Sequence, residues 1–213
     1  MGVVMRLRLR KLREEKPLAV MANDIEHIQR FAEVQIKDEE LLTSIQRPIV
    51  LLKKKATNPI CEEVAPRNNY FGVMLPYSPL HHLLLAAFGR GLVATSANIS
   101  GEPVLTEAVD VEQRIGPMVD AFLHHDRPIV RPADDPVIRP MAGAARAIRL
   151  GRGIAPLERS LGTRLPRALL ATGGHLKVTV ALAWEDLVCL SVTGIPLWTN
   201  RSQSRSPVSL LKQ

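Results

Sequence analysis

Two short polar groupings, far apart in the chain, are where this sequence could carry chemistry. The first is Lys11-Leu-Arg13, inside the basic run Arg6-Leu-Arg-Leu-Arg-Lys-Leu-Arg-Glu-Glu-Lys16. The second is Thr95-Ser-Ala-Asn98, inside Leu92-Val-Ala-Thr-Ser-Ala-Asn-Ile-Ser-Gly-Glu-Pro103. Lys11 and Arg13 offer cationic donors to an anion, although most charge runs are solvated faces. Ser96 and Asn98 stand two apart, so in extended chain both side chains point to one side. They follow a short apolar strand, Leu92 to Ala94, at the kind of strand exit where open α/β sheets bind ligands. The same residue types are also ordinary turn formers.

The chemistry open to such residues is narrow. Neither the Walker sequence nor the dinucleotide glycine fingerprint occurs, so phosphates would be held by side chains rather than by a glycine-rich helix N-terminus. Arginine forks and a lysine point charge suit that task, including charge growing on a leaving pyrophosphate. No Gly-x-Ser-x-Gly sequence or Cys–His pair supports covalent catalysis. Arg149 and Arg152 add two fixed positive charges. Asp134-Asp135 would hold magnesium through water, orient a basic side chain, or cap a turn. His81 and His82 lack a third ligand at helical spacing, and no protein metal site is assigned.

Composition bounds the partners. The chain has 213 residues, 46% hydrophobic, with a formal charge of +7, which suits one domain with a core, or one domain plus an appendage, and an anionic partner. Only 4% of residues are aromatic, which leaves few stacking platforms for single-stranded nucleic acid, and a nucleotide phosphate tail is an equally good anion. No apolar run reaches membrane-spanning length and no signal peptide is visible, so a cytoplasmic protein is expected. Cys61 and Cys189 have no Cys-x-x-Cys partner and are expected as buried apolar residues.

The elements that must position these groups alternate. Leu18–Met21, Arg47–Lys53, Tyr70–Leu75, Leu92–Ala94, Val119–His124 and Ala147–Leu150 read as strands, the second of them covered on both faces. Asn23-Asp-Ile-Glu26 opens one helix, Asp38 caps a second, Ser78-Pro79 starts a third that ends at Gly89, and Thr106 caps a fourth. Lys53-Lys-Lys55 reads as a solvated turn. The pattern predicts an α/β domain with a mixed sheet and helices packed on it.

Lys11-x-Arg13 with Lys16-Pro-Leu, followed much later by Ser96-x-Asn98 in Thr-Ser-Ala-Asn-Ile-Ser-Gly-Glu-Pro, resembles the YrdC-like family, which makes carbamoyl-type adenylates from ATP. Three further stretches look like the HypF carbamoyltransferases of hydrogenase maturation. These are Gly72 to Leu85, His125 to Arg131 with Asp134-Asp135, and Arg149 to Pro156. Leu169 to Leu182 is similar to the first hairpin of the actin-like domain that follows in that family.

The resemblance covers roughly residues 4 to 191. It implies a YrdC-like twisted mixed sheet over 1–156, a linker over 157–167, the start of an actin-like carbamoyl-transfer domain over 168–191 and a divergent polar tail over 192–213. An N-terminally truncated domain is expected, in a fragment of a longer gene that is truncated at both ends and frameshifted near Ser191.

The implied reaction joins carbamate, derived from carbamoyl phosphate, to ATP with magnesium on the phosphates, giving carbamoyl-adenylate. The carbamoyl group then passes to a HypE-type acceptor on the path to nickel-iron hydrogenase. By motif position Lys11, Arg13, Ser96 and Asn98 form the catalytic set. Arg47, Thr95, Arg131, Asp135, Arg149 and Arg152 form the nucleotide-binding wall. Two positions depart from the family: Pro136 stands where Ser is commoner, and Val178 where Asn is. A threonylcarbamoyl-adenylate synthase acting for tRNA modification is the alternative within the family, and a non-catalytic RNA- or nucleotide-binding module the alternative outside it.

Overall fold

The computed structural model describes residues 2–100, 102, 104–130, 132–172 and 179–191. Arg131 and Val178 fall outside the described residues, as do the tail from 192 and the centre of the hairpin expected over 169–182. The chain divides into two compact units, Met1–Ala155 and Pro156–Gln213.

The first unit opens with helix α1 (Val3–Arg10), then β1 (Ala19–Met21), α2 (Ile25–Gln29), α3 (Ile36–Thr43), β2 (Ile49–Lys53), a 3-10 turn (Glu62–Val64) and β3 (Tyr70–Met74). It continues with α4 (Pro79–Phe88), β4 (Leu92–Ala94), α5 (Ala108–Ile115), β5 (Val137–Met141) and β6 (Ala144–Arg149). The strands form one mixed sheet in the order β4-β1-β3-β2-β5-β6. Pairs β1–β3 and β2–β5 are parallel, while β1–β4, β2–β3 and β5–β6 are antiparallel.

Local chemistry explains the helix ends. Ser78 Oγ accepts from the His81 amide, Pro79 supplies a preset φ at the first helical position, and Gly89 ends α4 at φ 72°. Asp24 caps α2 through the His27 amide at 2.7 Å. Asp38 does not cap α3. It sits one turn in, and its carboxylate accepts from the Gln35 amide in a reciprocal box. Glu107 rather than Thr106 stands at the N-cap of α5.

Both faces of the sheet carry apolar residues, unequally. Val20, Val50, Val73, Leu52 and Phe71 bury one face with Ile28 and Phe31 of the α2 segment and Leu42 of α3, and the two phenylalanine rings meet edge to face. On the other face Met21, Met74 and Leu85 make a smaller cluster flanked by Ile49, Leu92 and Ala94. The apolar run in β2 is therefore covered well on one side only, with Val50 and Leu52 buried and Ile49 and Leu51 half-buried. Lys53, Lys54 and Lys55 are fastened instead of free. Lys53 pairs with Glu33 at 3.0 Å, Lys54 donates to the Ala65 carbonyl at 2.8 Å, and Lys55 reaches the Gln29 carbonyl.

Three further expectations change. Val119 to His124 forms no strand; it follows a 3-10 turn (Gly116–Met118) as irregular chain, because Phe122 and Leu123 find no strand partner and stay exposed. Cys61 is exposed rather than buried. The segment 157–167 contains strand β7 (Leu157–Ser160), which belongs to the second unit's antiparallel sheet with β8 (Leu169–Ala171), β9 (Ala181–Trp184) and β10 (Leu187–Leu190), in the order β7-β10-β9-β8. Regular pairing of Leu157 with Leu190 and Ser160 with Leu187 replaces the expected linker.

Candidate functional site

Antiparallel pairing of β1 with β4 sets Ala19 against Ala94. The chain entering β1 and the chain leaving β4 therefore meet at one end of the sheet. Lys11 and Arg13 lie on the entering side and Thr95, Ser96 and Asn98 on the leaving side. Lys11 Nζ donates to the Ser96 carbonyl at 2.6 Å, and Arg13 Nη1 donates to Thr95 Oγ1 at 2.9 Å. Arg13 is held further by bonds to the Lys16 carbonyl at 3.0 Å and to the Pro17 carbonyl.

Ser96 and Asn98 divide the work between them. The Ser96 hydroxyl donates to Asn98 Oδ1 at 2.7 Å, and Asn98 Nδ2 donates to the Glu102 carbonyl at 2.7 Å. Asn98 is 8% exposed while Ser96 is open to solvent, so the amide orders the loop and the serine faces outward. Lys11 is also only 8% exposed.

A second group stands at the ends of β5 and β6. Arg149 Nε donates to the Asp135 carbonyl at 2.9 Å, and among the described residues its terminal nitrogens bond to nothing. Arg152 is committed to protein. Its Nε and Nη2 both reach Asp135 Oδ1, at 3.2 and 3.0 Å, while Nη1 takes the Gln46 carbonyl and Nη2 the Arg47 carbonyl. The guanidinium also lies 3.5 Å over the Tyr77 ring. Four of the five N–H groups of an arginine are thereby occupied, so Arg152 and Asp135 build the wall and Arg149 faces out of it.

Although the Arg47 carbonyl accepts from Arg152, the Arg47 side chain belongs to neither group. Its backbone takes φ 44° and its side chain turns back to the Leu42 carbonyl at 3.3 Å, near the C-terminus of α3 where a cation is favoured. Gly151 permits the close passage of chain beside Asp135: a Cβ there would stand 2.3 Å from the Asp134 carbonyl oxygen and 2.7 Å from the Pro136 nitrogen. Pro136 is fully buried and its carbonyl accepts from Ile49 at 2.9 Å, so this residue seats β5 beside β2.

Electrostatics link the two groups. Burial lowers the Arg13 guanidinium from its ordinary pKa, and the like charges of Arg8 and Arg149 lower it further. The like charges around Arg13 favour an anion beside it. At the Arg152 wall, burial pushes the Tyr77 phenol up to about 12, helped by the Asp135 carboxylate and opposed by Arg152. Burial also lowers His81, whose ring meets Tyr77 edge to face at 4.5 Å. No group of three or more His, Cys, Asp or Glu side chains able to hold a metal occurs among the described residues.

Sequence reasoning missed Arg8. It reads as one more charge in a solvated run, yet it is 5% exposed and bonded to five backbone carbonyls. Its i−3 spacing from Lys11, one helical turn away, was the available signal.

A mixed sheet that converges a Lys-x-Arg loop and a Ser-x-Asn loop on one end defines the class. The chain belongs to the Sua5/YciO/YrdC family, whose model, described as "Telomere recombination", matches residues 2–151. Within that class its resemblance is to HypF. It is 44% identical over 188 residues to the carbamoyltransferase HypF of Synechocystis sp., covering 88% of this chain and 24% of that protein. It is 34% identical over 187 residues to a probable carbamoyltransferase HypF of Methanocaldococcus jannaschii, with 86% and 24% covered.

Among solved structures, full-length HypF in its phosphate- and nucleotide-bound form superposes with a TM-score of 0.85 at 37% identity, over 92% of this chain and 26% of that one. P. abyssi Sua5 complexed with L-threonine gives 0.60 at 22% identity, over 70% of this chain and 44% of that one, a likeness of fold alone. The chain spans about a quarter of the length of the curated HypF relatives it matches. No helix of the described residues is long and apolar enough to cross a membrane.

Proposed function

We propose that the first unit binds ATP and joins carbamate to it. The carbamate oxygen attacks the α-phosphorus, pyrophosphate leaves with the electrons of the broken P–O bond, and carbamoyl-adenylate forms. The observation that carries this reading is the convergence of Lys11 and Arg13 with Thr95 and Ser96 beside the outward-facing Arg149. Lys11, Arg13 and Arg149 neutralise phosphate and the charge growing on the leaving group, and Ser96 orients the carbamate with Asn98 holding its hydroxyl. Thr95 steadies Arg13, and Asp135 with Arg152 fixes the wall from which Arg149 projects. Asp135 is engaged by Arg152, and magnesium would accompany the ATP phosphates as part of the substrate.

The similarity to HypF favours carbamoyl phosphate as the carbamate source and a HypE-type protein as the acceptor. Carbamoyl-phosphate-dependent exchange of labelled pyrophosphate into ATP tests the reading. Exchange that instead requires bicarbonate and threonine would move the protein to the threonylcarbamoyl branch. No exchange under either condition, with RNA affinity falling steeply as salt rises, would leave a basic binding module.

A further inference from the structure

Arg8 is the least conspicuous charge in the N-terminal run and the most deeply placed. It lies on the last turn of α1, one helical turn before Lys11, and is 5% exposed. Its Nη1 donates to the carbonyls of Arg13, Glu14 and Lys16 at 2.9, 3.1 and 3.3 Å, so the loop carrying Arg13 wraps around the guanidinium. Its Nε and Nη2 reach the carbonyls of Glu63 and Val64, the latter at 3.2 Å, in the 3-10 turn whose Val64 oxygen also receives the Leu18 amide entering β1. Leu12, between Lys11 and Arg13, takes φ 48°, which bends the chain off the helix and into that wrap.

Among the described residues the acceptors of Arg8 are carbonyl oxygens, and the Glu63 carboxylate acts on it only through space. A buried guanidinium that spends its fork on one loop and one turn fixes the position of the loop relative to the sheet. Lys16 and Pro17, whose carbonyls hold the Arg13 side chain, belong to the same loop. The path from Arg8 to the Arg13 guanidinium is therefore one continuous set of hydrogen bonds.

We infer that Arg8 is a positioning residue: by fixing the loop whose carbonyls hold the Arg13 side chain, it sets the Arg13 guanidinium where the phosphates of the nucleotide bind. The inference rests on the ATP reading above. It assigns Arg8 no contact with substrate.

Isotherms of the chain with ATP and with adenosine, for wild type, Arg8→Lys and Arg8→Met, test it together with the unfolding midpoint. Lysine keeps the charge and loses the planar fork; methionine keeps the stem and loses both. The expected result is a roughly tenfold weaker ATP affinity in folded Arg8→Lys, with adenosine affinity changed less than about twofold, because only phosphate recognition runs through Arg13.

Equal ATP affinity in wild type and the folded variants overturns the inference. So does a parallel loss of ATP and adenosine, or failure of both variants to fold, either of which assigns Arg8 to the scaffold alone. A wild-type chain that binds no ATP overturns the nucleotide reading itself, and any role of Arg8 toward it.

Discussion

Lys11 Nζ lies 2.6 Å from the carbonyl oxygen of Ser96, a residue 85 positions away, and the bond closes the space between the entry to β1 and the exit from β4. The lysine charge is thus fixed at a short, half-buried contact. Replacing Lys11 with Ala removes both this tether and the point charge. Carbamoyl-phosphate-dependent ATP–pyrophosphate exchange is expected to fall by about 100-fold or more, the range seen when one preorganised donor to a developing charge is lost. Exchange at the wild-type rate in Lys11→Ala would exclude the lysine from the reaction.

Arg149 and Arg152 should separate cleanly, although the sequence gives them equal standing. Arg149→Ala removes an outward-facing cation with one backbone bond, so ATP affinity falls while the unfolding midpoint stays near wild type. Arg152→Ala strips Asp135 of its partner and frees the Gln46 and Arg47 carbonyls, costing about 1–3 kcal/mol of stability. Urea denaturation beside nucleotide titration distinguishes the two, and a stability loss in Arg149→Ala as large as in Arg152→Ala would contradict the division.

Gly151 tolerates no side chain. Its Cβ would overlap backbone atoms of Asp134, Asp135 and Pro136, none of which can swing aside as a flexible side-chain end would. Gly151→Ala is expected to destabilise the first unit by about 1–3 kcal/mol or more, through displacement of the strand entry at β5. A calorimetric midpoint unchanged from wild type would show that the segment has slack.

Acid is expected to weaken the fold through His81. Burial holds its pKa below 6.5, Arg152 and His82 act in the same direction, and Asp135 opposes them. A histidine with a depressed folded pKa contributes stability that is complete above the unfolded value near 6.5 and is lost as pH falls toward the folded value. Denaturation curves for His81→Gln should show a shallower fall from about pH 6.5 to 5 than wild type. Identical slopes would place the titration elsewhere. Tyr77, raised to about 12, acts at the other extreme: its contribution is complete below about 10 and fades between those two values, and Tyr77→Phe should remove that fade.

The sheet was legible because β1, β2, β3 and β4 are short apolar runs between clear breakers. Ser78-Pro79 and Gly89 mark α4 by chemistry that acts within a few residues. What the sequence concealed depends on distant partners. Val119 to His124 has the composition of a strand and finds no neighbour to pair with, whereas Leu157 to Ser160 has that of a linker and pairs with Leu187 to Leu190. Arg47 and Arg152 look alike in sequence and differ in what carbonyl lies within reach. Arg8 escaped for the same reason: its five acceptors come from two loops, one of them more than fifty residues on.

The place of β4 at the sheet margin, beside β1 and antiparallel to it, also dates the site within folding. β2, β3 and α4 lie between the two halves of the site in sequence, so Thr95 and Ser96 reach Arg13 and Lys11 only by closing a long loop. Contacts of such sequence separation form slowly, since a long loop must close before they yield any stabilisation. The proposed nucleotide site is therefore completed late, and the time course of ATP binding during refolding is expected to clock the docking of the marginal strand.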